Sequence, residues 1–269
     1  MRSIAAGMLL VLLAVSNGLA QVPDSVFLEE FTWEEVRDLV AGGKTTMIIA
    51  TGGAEQNGPH MVLGKHNFAL EHTTDKIARE LGNALVAPII AYVPEGGWEE
   101  PLSGHMSKAG TISVPNDVFM EMLEHAVRSF RPGGFTDIVL LGDSGGNQSG
   151  MQAVAEKVNA DWKGSGYRAH FIGDYYRKSH DDQEKFLIEN YGEPSESIGS
   201  HAGILDTSEV LSINPGLIRK DKIALNGGYE DSGVRGDPTQ ASVSRGELLL
   251  AIKINNAIEQ IRKSIAAAQ

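Results

Sequence analysis

An α/β fold with a mainly parallel sheet is predicted by three features of this chain. Short apolar runs bounded by glycine, Thr46 to Ala50 and Asp137 to Leu141, read as strands buried on both faces. Segments with apolar residues at helical spacing alternate with these runs, and the connecting turns are glycine-rich. Such alternation places helices on both faces of one sheet, a single domain of α/β/α layering. There is no repeat, low-complexity tract or linker that would divide it.

The elements follow in order. Met1-Arg2 is a short positive start, Ile4 to Val15 is almost wholly apolar, and Asn17-Gly18-Leu19-Ala20 ends in small residues. Residues 1–20 are therefore expected to be a signal peptide and 21–269 the mature domain. The apolar run is short for a membrane span, so an uncleaved anchor is the weaker alternative. Thr32-Trp33-Glu34-Glu35 has the form of a capping box, opening a helix that stops at Gly42-Gly43. After the strand at 46–50, Asn67 to Leu81 carries Phe68, Leu70, Ile77 and Leu81 at helical spacing. Ala84 to Val93 is a strand region interrupted by Pro88, and Pro115 to Phe130 an amphipathic helix. After the strand at 137–141 come a helix around Met151 to Trp162, a strand at Tyr167 to Ile172 and a long helix from about Ser244 to Ile265.

Charge and cysteine usage limit the function. The 23 Lys and Arg against 35 Asp and Glu give a net charge of −12. That balance argues against a nucleic acid or an anionic membrane as partner and leaves a small-molecule substrate. The absence of cysteine excludes thiolate metal sites and cysteine nucleophiles. It also suits a periplasmic or secreted protein that forms no disulfides.

In open α/β sheets, ligands bind beyond the carboxyl ends of the strands. Two loops qualify: Thr51 to His60, continuing to Lys65-His66-Asn67, and Gly142-Asp143-Ser144-Gly145-Gly146-Asn147. Four of the eight histidines, His60, His66, His105 and His201, fall in loops or at element ends, two of them close to Glu55. Imidazole with carboxylate suits an ion such as zinc or manganese.

The same segments carry a family resemblance. Glu55-Gln56-Asn57-Gly58-Pro59-His60 resembles the Glu-Gln-His-Gly-Pro-His segment of the creatininase (creatinine amidohydrolase) family. Ser103-Gly104-His105 with Gly110-Thr111-Ile112-Ser113 is similar to its Ser-x-Glu-His followed by Pro-Gly-Thr, and Gly145-Gly146-Asn147 to the end of its Asn-Gly-His-Gly-Gly-Asn. His201-Ala202-Gly203 with Asp206-Thr207-Ser208 resembles its His-Ala-Gly-Glu-x-Glu-Thr-Ser, and Gly236-Asp237-Pro238 its late Gly-Asp-Pro turn. The resemblance implies an α/β/α hydrolase, often hexameric, that opens cyclic amides or similar C–N bonds at a two-metal centre.

Position by position, that implied centre is altered. Glu55 stands at the first carboxylate ligand. Asn57 replaces a histidine ligand, His66 the aspartate that bridges both ions, and Ser144 the histidine of the Gly-Gly-Asn loop. Gly146 stands where creatininase has a ligand glutamate. A neutral imidazole offers one lone pair to one ion, so His66 is a poor bridge. The expectation is one divalent ion held by Glu55, His66 and a third group (His60, Asp143 or His201), or no metal.

Gly142-Asp143-Ser144-Gly145-Gly146 also spells the nucleophile segment of chymotrypsin-like proteases, but here it joins a buried strand to a helix. Ser144 is either a nucleophile beside the amides of Gly145 and Gly146 or a helix N-cap. Asp143 is either a cap or a partner that orients a histidine. His201 is the expected proton-transfer group, with His105 also at a family-matching position. Trp98 either lines a pocket or contacts another subunit. Two functions remain open: an exported hydrolase of a small cyclic amide, lactone or related polar ring, and a non-catalytic relative that keeps the pocket for binding.

Overall fold

The computed structural model describes residues 23–223 and 229–267; the expected signal peptide at 1–20 lies outside them. Among the described residues, no helix is long and apolar enough to cross a membrane.

The first α-helix among the described residues is α1 (Trp33–Ala41), where the Thr32 side chain and Glu35 form the reciprocal capping box expected there. Strand β1 (Thr46–Thr51) is buried at every residue and forms the middle of the sheet. Helix α2 (Lys65–Leu81) follows, then β2 (Ala84–Val86), α3 (Asn116–Ser129), β3 (Asp137–Gly142), α4 (Gln148–Asp161) and β4 (Arg168–Phe171). The strand order is β2-β1-β3-β4 and every pairing is parallel, with Thr46 opposite both Ala84 and Asp137. The strand region at 84–93 is shorter than expected. Pro88 has no amide to donate, so pairing stops at Val86 and resumes only where Ile90 bridges to Thr51.

Two cores cover the two faces. Phe119, Leu123 and Val127 of α3, with Met151, Val154 and Val158 of α4, pack on one side against Met47, Ile49, Ile138 and Leu140. Leu70 and Ile77 of α2 pack on the other against Ile48, Ala50, Val139 and Leu141, together with Ala257, Ile258 and Ile261 of the last helix. The architecture is the predicted three-layer α/β/α sandwich.

The segment after β4 holds α5 (Arg177–Tyr191), α6 (Ser195–Ile198), α7 (Ile204–Ile213) and α8 (Tyr229–Ser232) before the long helix α9 (Val243–Ala266). Their apolar patterns are weak for opposite reasons. In α5 most residues are polar, whereas α7 is buried almost all round and shows no polar face.

Candidate active site

A cavity of about 560 Å³ opens at the carboxyl ends of the parallel strands. It is formed by the β1 loop through the first turn of α2, the 94–105 loop, the β3–α4 turn, Tyr176 with His180 and Gln183 of α5, the 200–209 segment, Arg235, and Lys253 of α9. Apart from Pro94 and Leu205, most of its lining is charged, hydroxylated or glycine backbone.

Its floor is a line of alternating charges. Lys253 Nζ lies 3.0 Å from Glu209 Oε2 and 2.8 Å from Asp143 Oδ1. Asp143 Oδ2 is 2.8 Å from His66 Nδ1, and His66 Nε2 is 2.8 Å from Glu55 Oε1. Lys65 Nζ lies 3.6 Å from that same Glu55 oxygen and 2.7 Å from Asp206 Oδ2. Asp206 also accepts from the amide of Ala202, whose left-handed backbone (φ 53°) immediately follows His201. Carboxylate and cation thus alternate from Glu209 to Asp206 through Lys253, Asp143, His66, Glu55 and Lys65.

This order sets the protonation states. Burial and Lys65 oppose a charge on His66, but Glu55 and the hydrogen bonds to Asp143 and Glu55 outweigh them and push its pKa up to about 10. Burial likewise opposes charge on Lys65 and Lys253, yet Asp206 and Glu55 hold the first, and Asp143 and Glu209 the second, above the usual lysine value. Asp143 and Asp206 are lowered against their burial, by Lys253 and Lys65 respectively. Glu209, at the end of the line, is raised by burial.

Glu95 behaves differently. It is only 5% exposed, and burial followed by the nearby Glu55 charge pushes its pKa up to about 8. Its Oε2 accepts from Ser144 Oγ at 3.2 Å, while Oε1 is a buried oxygen with no hydrogen-bond partner. Two glycines make room for this loop. A Cβ on Gly146 would collide with the Pro94 carbonyl oxygen, and a Cβ on Gly53 with Glu95 Oε1.

His66 and Glu95 share one consequence. Each holds a proton in the fold that it releases in the unfolded chain, His66 between pH 6.5 and about 10, and Glu95 between 4.5 and about 8. Their contribution to stability is complete below those windows and is lost as pH rises through them. The melting temperature of the protein is therefore expected to fall between pH 7 and 10, which differential scanning calorimetry across that range would measure. A His66→Asn variant should show a shallower decline.

The expected site residues divide into three groups. Glu55, His105 and His201 converge: one donor atom from each lies within 4.8 Å of the others. Gln56 Nε2 lies 3.1 Å from His105 Nδ1, and His105 Nε2 lies 3.0 Å from Glu55 Oε2. His201 Nε2 lies 2.8 Å from the Gln56 carbonyl oxygen and 3.2 Å from Gln56 Nε2, and its Nδ1 lies 3.7 Å from Glu55 Oε1. Burial, then the Lys65 ammonium, lowers the His201 pKa to about 4, so its ring is neutral at pH 7.

The second group lines the cavity in other roles. His66, expected as a metal ligand, lies between two carboxylates, with Nδ1 2.8 Å from Asp143 Oδ2 and Nε2 2.8 Å from Glu55 Oε1. Asp143 orients His66 and binds Lys253. The hydroxyl of Ser144 makes no cap bond to the turn it precedes and donates to Glu95 instead.

The third group lies apart. His60, the other expected ligand, is buried beside Thr207 Oγ1 at 3.0 Å and does not line the cavity. Asn57 staples its own loop by donating to the carbonyls of Glu55, Val62 and Leu63.

Lys65, Glu95, Glu209 and Lys253 were not anticipated. A signal for Lys253 existed, since it interrupts the stripe Leu249, Ala257, Ile261 at four-residue spacing on the inner face of α9.

Comparison with known proteins identifies the family and the fold. The family model described as Creatininase, creatinine amidohydrolase, matches residues 29–261. The creatinine amidohydrolase of Pseudomonas putida is 22% identical, the match covering 89% of this chain and 97% of that one. The mycofactocin precursor peptide peptidase of Mycolicibacterium smegmatis is also 22% identical, over 81% and 84%. A 3-dehydro-scyllo-inosose hydrolase of Thermotoga maritima is 22% identical over 74% of this chain but only 60% of its own length. A crystal structure of creatinine amidohydrolase superposes with a TM-score of 0.74 at 19% identity, over 90% of this chain and 98% of that one. Two further creatininase structures, a manganese form and a mutant of Zn-Zn type, superpose at 0.71, each 20% identical, over 89–90% of this chain and 98–99% of theirs.

Fold and site together define the class, an amidohydrolase-type hydrolase of α/β/α architecture with a polar cavity at the carboxyl edge of its sheet. The chain belongs to the creatininase family.

Proposed function

We propose that this protein is an exported hydrolase that opens a small polar ring, a cyclic amide or lactone, with one divalent ion bound per chain. The observation that carries this reading is the convergence of Glu55, His105 and His201 beneath a polar cavity. A carboxylate and two imidazoles are a fitting donor set for a single zinc or manganese ion. The relatives point to the same chemistry, since creatininase structures are described in manganese and zinc forms. A bound ion there supplies Lewis-acid polarisation of a carbonyl and a more acidic water.

The remaining work falls to the chain's own groups. Glu95 holds a proton at neutral pH beside Ser144, so its carboxyl is the donor for the leaving nitrogen or oxygen. His201, neutral at that pH, fixes the Gln56 backbone rather than delivering a proton. Ser144 orients the Glu95 carboxyl. Lys65 and His66 hold Glu55 in place from the other side.

A panel of cyclic amides, lactones and dehydrated sugar rings, read by mass spectrometry for addition of water, tests the reading. Water added to one of them by the zinc- or manganese-loaded protein supports it. Tight binding without turnover would favour the non-catalytic alternative. On a confirmed substrate, Glu95→Gln is expected to lower turnover about a hundredfold, and wild-type activity should fall as pH rises through about 8, where Glu95 loses its proton. A glutamine variant that retained full turnover would exclude Glu95 as the donor.

Export and assembly complete the proposal. The pattern of residues 1–20 supports cleavage before Gln21 in a periplasmic or secreted protein. Mass spectrometry of the mature protein checks this, and an intact Met1 terminus in the cytoplasm contradicts it. A homo-oligomer is supported by Tyr92 and Trp98, 60% and 50% exposed on the loop that borders the cavity.

A further inference from the structure

We infer that the ring opened here carries a carboxylate, and that Arg235 is the residue that selects it. The inference names the substrate class of the hydrolase reading above and rests on it.

Arg235 reaches the cavity from a segment that the backbone fixes in place. Its amide donates to the His201 carbonyl at 2.8 Å, and the His201 amide returns a bond to the Arg235 carbonyl at 3.2 Å. The Ser200 amide donates to the same Arg235 carbonyl at 3.0 Å, and the Asp237 amide to the Ser197 carbonyl at 2.6 Å. Glycines let the two segments lie backbone against backbone. A Cβ on Gly199 would strike the Arg235 carbonyl, and one on Gly236 the Ile198 carbonyl.

This pairing sets the direction of the side chain. Residues that exchange both bonds in an antiparallel pair lie about 5.5 Å apart at Cα and project to the same side. His201 puts its ring beside Glu55 and His105, so Arg235 leaves the backbone towards the same cavity, whose lining it joins.

Its surroundings differ from those of the lysines in the lining. Lys65 lies between Glu55 and Asp206, Lys253 between Asp143 and Glu209, and both are buried in the floor. Their charges are balanced inside the protein, whereas Arg235 is exposed at the edge of the cavity. A guanidinium presents a rigid fork of donors that matches the two oxygens of a carboxylate. A ring held with its carbonyl at the cluster of Glu55, His105 and His201 brings a carboxylate substituent to that fork. An uncharged ring gains nothing from it. The chain carries a net charge of −12, so an anion is not attracted from a distance and its recognition falls to this local cation.

Matched rings that differ by a single carboxylate are the test: pyroglutamate against pyrrolidinone, dihydroorotate against dihydrouracil, and γ-butyrolactone with and without a γ-carboxylate. Each is titrated calorimetrically into zinc-loaded full-length protein, with the zinc content of every sample measured. Wild type is expected to bind the acid of at least one pair about tenfold more tightly than its uncharged partner, the scale of a charge-assisted contact. Arg235→Gln, which keeps the backbone pairing, should weaken the acid about tenfold and the uncharged ring by less than about twofold. An acid held equally by both proteins is bound by the zinc alone and overturns the inference, as does the lack of any preference for the acid. An Arg235-dependent preference without addition of water upholds the carboxylate site and rejects the hydrolase reading. Water added only to the uncharged rings upholds the hydrolase reading and overturns the inference.

Discussion

Lys253→Met is expected to destabilise the protein by about 3–5 kcal/mol, the cost of leaving buried charges without their partner. Lys253 Nζ is the sole cation between Asp143 and Glu209 in the line of charges described above, at 2.8 and 3.0 Å. Methionine keeps most of the volume, so packing on α9 changes little while Asp143 and Glu209 lose a shared counter-charge. Glu209 has a partial alternative in Gln183, whose amide donates to Oε1, and Asp143 keeps His66. A second substitution, Glu209→Gln, should therefore recover a good part of the loss. Urea denaturation of the two single variants and the double variant would measure the coupling. A loss below about 1 kcal/mol, the range of an exposed ion pair, would contradict a buried charge line.

Glu55→Gln is expected to have the largest effect on function. Glu55 is the carboxylate on which His66, Lys65, His105 and His201 converge. Glutamine keeps the shape but removes the charge, leaving His66 and Lys65 facing a neutral amide. Zinc affinity should fall at least about a hundredfold, and turnover with it, as loss of a charged ligand exceeds the effect of losing an outer-shell partner. His60→Ala, outside the cavity, should leave affinity within about threefold of wild type. Equal losses in the two variants would mean that the ion is held elsewhere.

Much of the scaffold was legible in the sequence because local and global preferences agree there. The run at 46–50 is buried on both faces and bounded by glycine, which leaves few alternatives to a central parallel strand. Thr32 and Glu35 specify a helix start by their own hydrogen bonds. The second half of the chain was harder to read for a physical reason. In α7, burial on nearly every side erases the amphipathic period from which a helix is recognised.

The site was legible in part. Glu55, His105 and His201 were singled out by residue type and position, and the fold brings them together. What residue type could not convey is the partner of each group. His66 in isolation reads as a ligand, and only the approach of Asp143 from the β3–α4 turn shows that it lies between two carboxylates. Glu95 reads as one acid among several in an acidic loop. It becomes a proton carrier because Gly53 and Gly146 let the 94–96 backbone close down on Ser144 and bury it. Lys65 and Lys253 become part of the chemistry through contacts 141 and 44 residues distant in the chain. Such long-range pairings leave no local pattern.

Anomalous diffraction at the zinc edge, from crystals of the chelator-stripped protein soaked in zinc, tests the central claim most directly. The account predicts one peak per chain, within bonding distance of Glu55, His105 and His201, with His66 still hydrogen-bonded to Asp143. Two peaks in the cavity, or a single peak ligated by His66 or His60, would contradict it.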